Sequence, residues 1–113
     1  MVKDLSSVLR AVGFDEKESQ LYLAGLQLGS APASEYAKST GINRITAYNT
    51  LESLAKRGLL TIVKKVRSKW YTPVAPEYLA LEARKNVDML ERTLPELKSL
   101  RGVFEVPQID FEP

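Results

Sequence analysis

Apolar residues recur at three- and four-residue spacings along most of this chain, and glycines punctuate the runs. In "DLSSVLRAV", Leu5, Val8, Leu9 and Val12 share one face and Gly13 follows, which predicts a first short helix with a left-handed stop. "FDEKESQLYLAGLQLG" opens on Asp15 with Glu18 three residues later, the spacing of a capping box. Both carboxylates there meet the positive end of the helix dipole. Leu21, Tyr22, Ala24, Gly25 and Leu28 then form the expected buried stripe, ending at Gly29. A shorter helix is expected over roughly Ala33 to Ser39, with Tyr36 and Ala37 inward and Gly41 closing it. Its start carries Pro32, where Ser or Thr would cap better.

The next run, "INRITAYNTLESLAKRGLL", predicts a helix from an Asn43 cap to about Arg57, with Gly58 past its end. At 100° per residue, Ala47, Tyr48, Leu51, Leu54 and Ala55 fall within about 60° of Leu51 and make the inward face. Ile45, Thr46, Asn49, Ser53 and Lys56 lie opposite. That outer face is short-chained and hydrogen-bonding, and its one acid, Glu52, stands at the margin. Solvated helix surfaces usually mix Glu with Lys. This one instead suits close approach to phosphates and base edges.

The period then shortens from helical to alternating. Leu60 to Lys64 and Lys69 to Pro73 read as two strands joined by a tip containing Lys65, Arg67 and Ser68. Helix, turn at Gly41, helix and hairpin together make a winged helix-turn-helix. Lys64, Lys65, Arg67 and Lys69 put cations where a wing meets a phosphate backbone, although lysines also keep edge hairpins soluble. From "APEYLALEARKNVDMLERTLPELKSL", Ala80, Ala83, Val87, Leu90, Leu94 and Leu97 form a heptad-like seam, on a helix expected from Pro76 to about Thr93. Such a seam packs on a second copy or on its own domain; because the preceding elements already close a unit, pairing between copies is the expectation. Pro95 is expected to kink the helix or restart it, with Thr93 and Glu96 as caps. The fold class is thus mainly α with a small β-hairpin. It divides into a winged helix-turn-helix over 1–75, a helical dimerisation segment over 76–101 and an extended tail over 102–113.

Composition narrows the chemistry. The 113 residues amount to one modest domain, 44% hydrophobic and 27% charged, as in ordinary soluble proteins. Cysteine and histidine are both absent, which removes thiolate chemistry, the commonest general base and the commonest zinc ligand. Lone acids such as Glu35 and Glu52, and Ser34 beside Glu35, read as helix-start or surface groups, so neither an enzyme nor a metal or cofactor site is expected. No apolar signal core opens the chain and no run is long enough to span a bilayer, so a cytoplasmic protein is expected. The net charge of +2 is unevenly spread: residues 1–41 hold four bases and five acids, 42–74 seven and one, and 75–113 five and eight. A central block of net +6 points to a polyanion.

The order "VGFDEKESQLYLAGLQLGSAPASEYAKSTGINRITAYNTLESLAKRGLLTIV", with "SKWYTPVAPEYL" after it, resembles the N-terminal winged helix of the TrmB family of transcriptional regulators. The likeness runs from about Leu5 to Leu100. It implies operator DNA bound by dimers, with recognition residues at Arg44, Ile45, Thr46 and Asn49 and a wing at Lys65 through Lys69. Ser53 extends the same outward face, and Ser68 the same wing. Many members sense sugars through a larger C-terminal domain, for which these 113 residues have no room, so sugar sensing is not carried over, the effector is unknown, and the chain is expected to be either a DNA-binding fragment or a stand-alone regulator. Val66 stands where the family's wing usually has Gly. Two function classes follow: a homodimeric, sequence-specific regulator binding double-stranded DNA, or a winged helix used for protein interaction or RNA binding. The basic wing and acid-poor outer face favour DNA.

Overall fold

A computed structural model describes residues 4–101; the expected extended tail lies outside the described residues. The elements run α1 (Leu5–Ala11), α2 (Glu16–Leu28), β1 (Ala31–Pro32), α3 (Ala33–Thr40), α4 (Arg44–Lys56), β2 (Leu60–Lys65), β3 (Ser68–Pro73) and α5 (Pro76–Arg101). They form two compact units that meet between Leu79 and Ala80, within the start of α5.

In the first unit the helix starts follow local chemistry. The Asp15 side chain accepts from the Glu18 N–H at 2.8 Å and Glu18 accepts from the Asp15 N–H at 2.9 Å, completing the capping box of α2. Asn43 Oδ1 accepts from the N–H groups of Ile45 and Thr46 at 2.9 and 3.2 Å, starting α4. Between α3 and α4, Gly41 takes φ 78° and ψ 5°, a left-handed conformation that a side chain would strain. This bend sets the direction in which α4 leaves the turn.

The hairpin is one part of a three-stranded antiparallel sheet, order β1-β3-β2. Ala31 pairs with Tyr71 and Pro32 with Trp70, so β3 is the central strand. Pro32 has no N–H to offer a ladder and sits on the edge, where that omission is tolerated. Two residues are too few for an alternating pattern, which is why periodicity predicts only a hairpin here.

Tyrosines join helices to sheet. The Tyr36 hydroxyl donates to the Tyr71 carbonyl at 2.9 Å, and the two rings meet edge-on with centroids 6.4 Å apart. Burial pushes the Tyr36 hydroxyl up to about 12. The Tyr22 hydroxyl donates to the Val74 carbonyl at 2.7 Å. Room for Tyr36 comes from Gly25 in α2: a Cβ there would stand 2.6 Å from the Tyr36 hydroxyl oxygen and 3.0 Å from Pro73 Cγ. Leu21, Leu51 and Leu54 fill the rest of the core with these rings.

Of the shared α1 face only Leu9 is buried, while Leu5, Val8 and Val12 are exposed, because a two-turn helix beside α2 covers little more than its central row. Two expectations about inward faces are corrected. Leu28 is exposed at the end of α2, and Ser19 is buried instead, its hydroxyl bonded to the Asp15 and Glu16 carbonyls. Tyr48 is 41% exposed although it lies on the edge of the inward stripe of α4.

In the second unit α5 continues as helix through Pro95 to Arg101, so the expected restart does not occur. Thr93 does not cap a new segment; its hydroxyl donates back to the Met89 carbonyl at 2.6 Å. One lost backbone bond is tolerable here because Glu91, whose carbonyl Pro95 leaves unpaired, is exposed to water. No described residue of α5 is buried, and along the seam Ala80, Val87, Leu90, Leu94 and Leu97 are exposed while Ala83 is half-buried.

Candidate nucleic-acid interface

The start of α4 projects the residues singled out by its outer face. Arg44, Ile45, Asn49 and Ser53 are exposed and Thr46 is half-buried. Ile45 is 71% exposed between the polar Arg44 and Thr46. Beside them, β2 and β3 pair from Leu60↔Pro73 to Lys65↔Ser68, leaving a two-residue turn at Val66 and Arg67. Lys65 and Ser68 therefore belong to strands, and the tip is narrower than the sequence suggests. Val66 is 97% exposed. Among the described residues no non-glycine takes a positive φ, so this turn is not of the primed kind that Gly favours.

Between the start of α3, the start of α4 and β3 lies an open cleft of about 470 Å³. Arg44, Ile45 and Tyr48 line one side, Arg67, Ser68 and Lys69 the other, with Pro32, Ala33, Ser34 and Tyr71 between them. Five predicted site residues are thus brought together on one concavity. Thr46, Asn49, Ser53 and Lys65 do not line it.

The cations differ in how they are held. Among the described residues, Arg44 and Arg67 have no acidic partner. Lys65 Nζ lies 4.0 Å from the centroid of the Trp70 ring, whose Nε1 donates to Ser68 Oγ at 3.0 Å. Lys69 is engaged by the protein's own groups at the surface: its ammonium donates to Glu52 Oε2 at 3.2 Å and stands 5.7 Å from the Tyr48 ring centroid. The same Oε2 accepts a 2.6 Å bond from the Tyr71 hydroxyl. That bond, joined by the hydrogen bond and charge of Lys69 and the charge of Lys56, holds the Glu52 carboxyl below its ordinary range against the opposing effect of burial. Conversely, Glu52 raises the Lys69 ammonium. Burial first and Glu52 second push the Tyr71 hydroxyl upward.

Sequence reasoning missed Tyr48 and Glu52 as members of this site. Tyr48 sits about 60° from the centre of the inward stripe, where a side chain with a polar tip can face either way. Glu52 had one legible signal, that it is the lone acid within residues 42–74.

A helix-turn-helix with a basic hairpin beside it matches known proteins in sequence as well as shape. The family model described as "Sugar-specific transcriptional regulator TrmB" matches residues 9–77. The chain belongs to the TrmB family. TrmB-family relatives include the HTH-type sugar sensing transcriptional regulator TrmBL1 of Pyrococcus furiosus, 30% identical over 111 residues, which is 95% of this chain and 32% of that protein. The uncharacterized protein YrhO of Bacillus subtilis is 32% identical over 96 residues, 81% of this chain and 34% of its own length. The chain therefore spans about a third of the curated relatives it matches. Among solved structures, TrmBL2, an archaeal chromatin protein with a novel mode of DNA binding, aligns with a TM-score of 0.71 at 22% identity, covering 88% of this chain and 37% of that one. The homodimeric winged helix-turn-helix DNA-binding domain of Mb0332 from Mycobacterium bovis aligns with a TM-score of 0.53 at 21% identity, over 82% and 90% of the two chains. At such identities the structural likeness establishes the winged-helix fold. The regulators in the family have a non-enzymatic role. Among the described residues of this TrmB-family chain, no helix is long and apolar enough to cross a membrane.

Proposed function

We propose that this chain is a cytoplasmic, non-enzymatic transcriptional regulator that binds a specific double-stranded operator as a homodimer. Helix 43–57 enters the major groove and the wing at 64–69 lies on the phosphate backbone. The single observation that carries this is the cleft on which Arg44 and Ile45 face Arg67 and Ser68, two arginines without acidic partners among the described residues flanking an open recess. Arg44 at the helix entrance reaches a guanine or a phosphate, Ile45 meets a thymine methyl, Asn49 suits adenine, and Thr46 and Ser53 supply short hydrogen-bonding groups. Lys65 and Arg67, with Ser68 between strand and tip, contact phosphates and position the protein without reading sequence. Dimerisation uses α5, whose seam through Ala80, Ala83, Val87, Leu90, Leu94 and Leu97 lies among no buried residues and needs a cover of its own kind. Two-fold symmetry of the pair then fixes the distance between half-sites.

Selection of bound duplexes from a random DNA pool tests this directly. A palindrome with constant half-site spacing is expected. Enrichment of an unsymmetric single site would remove the dimer, and absence of enrichment alongside binding to RNA or to a protein would move the chain to the interaction-module class.

A further inference from the structure

Glu52 is the one acid among residues 42–74, a stretch holding seven Lys and Arg, and it sits half-buried on α4, at the margin of the outward face between buried Leu51 and exposed Ser53. Electrostatics alone argues against an acid there, since a carboxylate repels a polyanion and occupies a neighbouring cation. Its partners give it another use. Glu52 Oε2 accepts from the Tyr71 hydroxyl at 2.6 Å and from Lys69 Nζ at 3.2 Å, and both donors come from β3. Tyr71 is anchored in turn: it is buried, meets Tyr36 edge-on, and pairs with Ala31 of β1.

The position of this contact along the sheet matters. The ladder from β1 ends at Pro32↔Trp70, so beyond Trp70 the wing is a two-stranded ribbon of Lys64↔Lys69 and Lys65↔Ser68. Such ribbons twist easily and are marginal in isolation. Lys69 is the first residue past the last β1 pair, and the Glu52 carboxylate holds it against α4 at that point.

We infer that Glu52 is a positioning residue for DNA reading: with Tyr71 and Lys69 it fixes the wing to the recognition helix, giving up non-specific affinity to hold the tip and the base-reading face at one spacing. This rests on the DNA-binding function proposed above. It also sets a sign that a merely structural ion pair lacks. Removing a structural pair weakens binding to every duplex. Removing this one frees Lys69 and lifts a repulsion, so random DNA is held more tightly while the operator loses its advantage.

The test measures binding of the full chain to the selected operator and to random duplex over a salt series, for the parent, Glu52→Gln and Tyr71→Phe. For Glu52→Gln the slope of log affinity against log salt on random duplex steepens by about 0.9, one added phosphate contact, and the operator-to-random ratio falls about tenfold. Tyr71→Phe keeps both charges and the buried ring, so the ratio falls, by about threefold, with the slope unchanged. A parallel measurement needs no DNA. The chain has no cysteine, so spin labels on Lys56→Cys and Val66→Cys report the α4-to-tip distance alone. Glu52→Gln should broaden that distribution. An unchanged narrow distribution overturns the clamp, and a broadened one with unchanged discrimination overturns its role in reading DNA. Equal weakening on both duplexes also overturns it, leaving a structural pair. A parent that binds no duplex overturns the positioning role together with the proposed function, while the distance distribution still separates a clamped wing from a free one.

Discussion

Replacing Gly25 by alanine sets two opposed effects against each other at one carbon atom. Gly25 lies inside α2 with an ordinary helical backbone, so on propensity alone the substitution should stabilise by about 1 kcal/mol. The added Cβ, however, would stand 2.6 Å from the Tyr36 hydroxyl oxygen and 3.0 Å from both Tyr36 Cε2 and Pro73 Cγ. Tyr36 has no exposed surface into which to swing, and its hydroxyl is bonded to the Tyr71 carbonyl. Overpacking of this kind costs about 1 to 3 kcal/mol, and a stretched or broken buried hydrogen bond about 1 more. The net expectation is a loss of about 2 kcal/mol, on the order of 10 °C in Tm for a unit of this size. Urea unfolding followed by Trp70, the single tryptophan, and by circular dichroism measures it. The same substitution made together with Tyr36→Phe should cost less than the sum of the two, since the atom closest to the new methyl is then gone. Stability equal to or above the parent, or strict additivity in the pair, would refute the close-packing explanation and leave Gly25 as a simple helix weakness.

Other consequences are equally open to measurement. Asn49→Ala should lose about 1 to 3 kcal/mol of operator affinity and relax preference at one base pair; unchanged affinity and preference would mean the outer face of α4 does not read DNA. Leu90→Glu puts a charge on a residue that is 54% exposed in the single chain and covered in the proposed dimer, so sedimentation should find monomers where the parent is dimeric, and a monomeric parent would sink the dimer. Arg67→Gln should lower the salt slope by about 0.9 on operator and random duplex alike, and no change would place the tip in solvent. For pH, the Glu52 carboxyl is held below its unfolded value, so its contribution to stability is present above the ordinary carboxylate range and is lost as pH falls through the depressed folded value. The stability difference between parent and Glu52→Gln should therefore shrink on acidification below that range, and a difference constant from neutral to strongly acid pH would contradict the bonding described.

What local chemistry specifies was legible before any coordinates. Asp15 with Glu18, and Asn43 ahead of Ile45 and Thr46, are helix starts that a few neighbouring atoms satisfy by themselves, and they appear where the sequence puts them. Helix order, the Gly41 turn, the two wing strands and the basic centre of the chain depend on spacing and charge counts, which need no partner to be read. Together with the family likeness these led to a winged helix and to five of the residues that line its cleft, Arg44, Ile45, Arg67, Ser68 and Lys69.

Tertiary packing decided the rest. Whether Tyr48, on the edge of its stripe, turns to the core or to the cleft depends on the angle at which α4 lies on the sheet, and how much of the α1 face is covered depends on how that short helix packs beside α2. The two-residue β1 exists only because β3 offers it an open edge. Glu52 meets Tyr71 and Lys69 across 19 and 17 positions of chain, a pairing that no period or cap encodes, because it is created by the approach of a helix to a strand. Sequence singled out the exposed polar face of α4 and the basic wing as candidates; the packing of α4 against β3 determined that one of the predicted cations, Lys69, is held by the protein's own carboxylate.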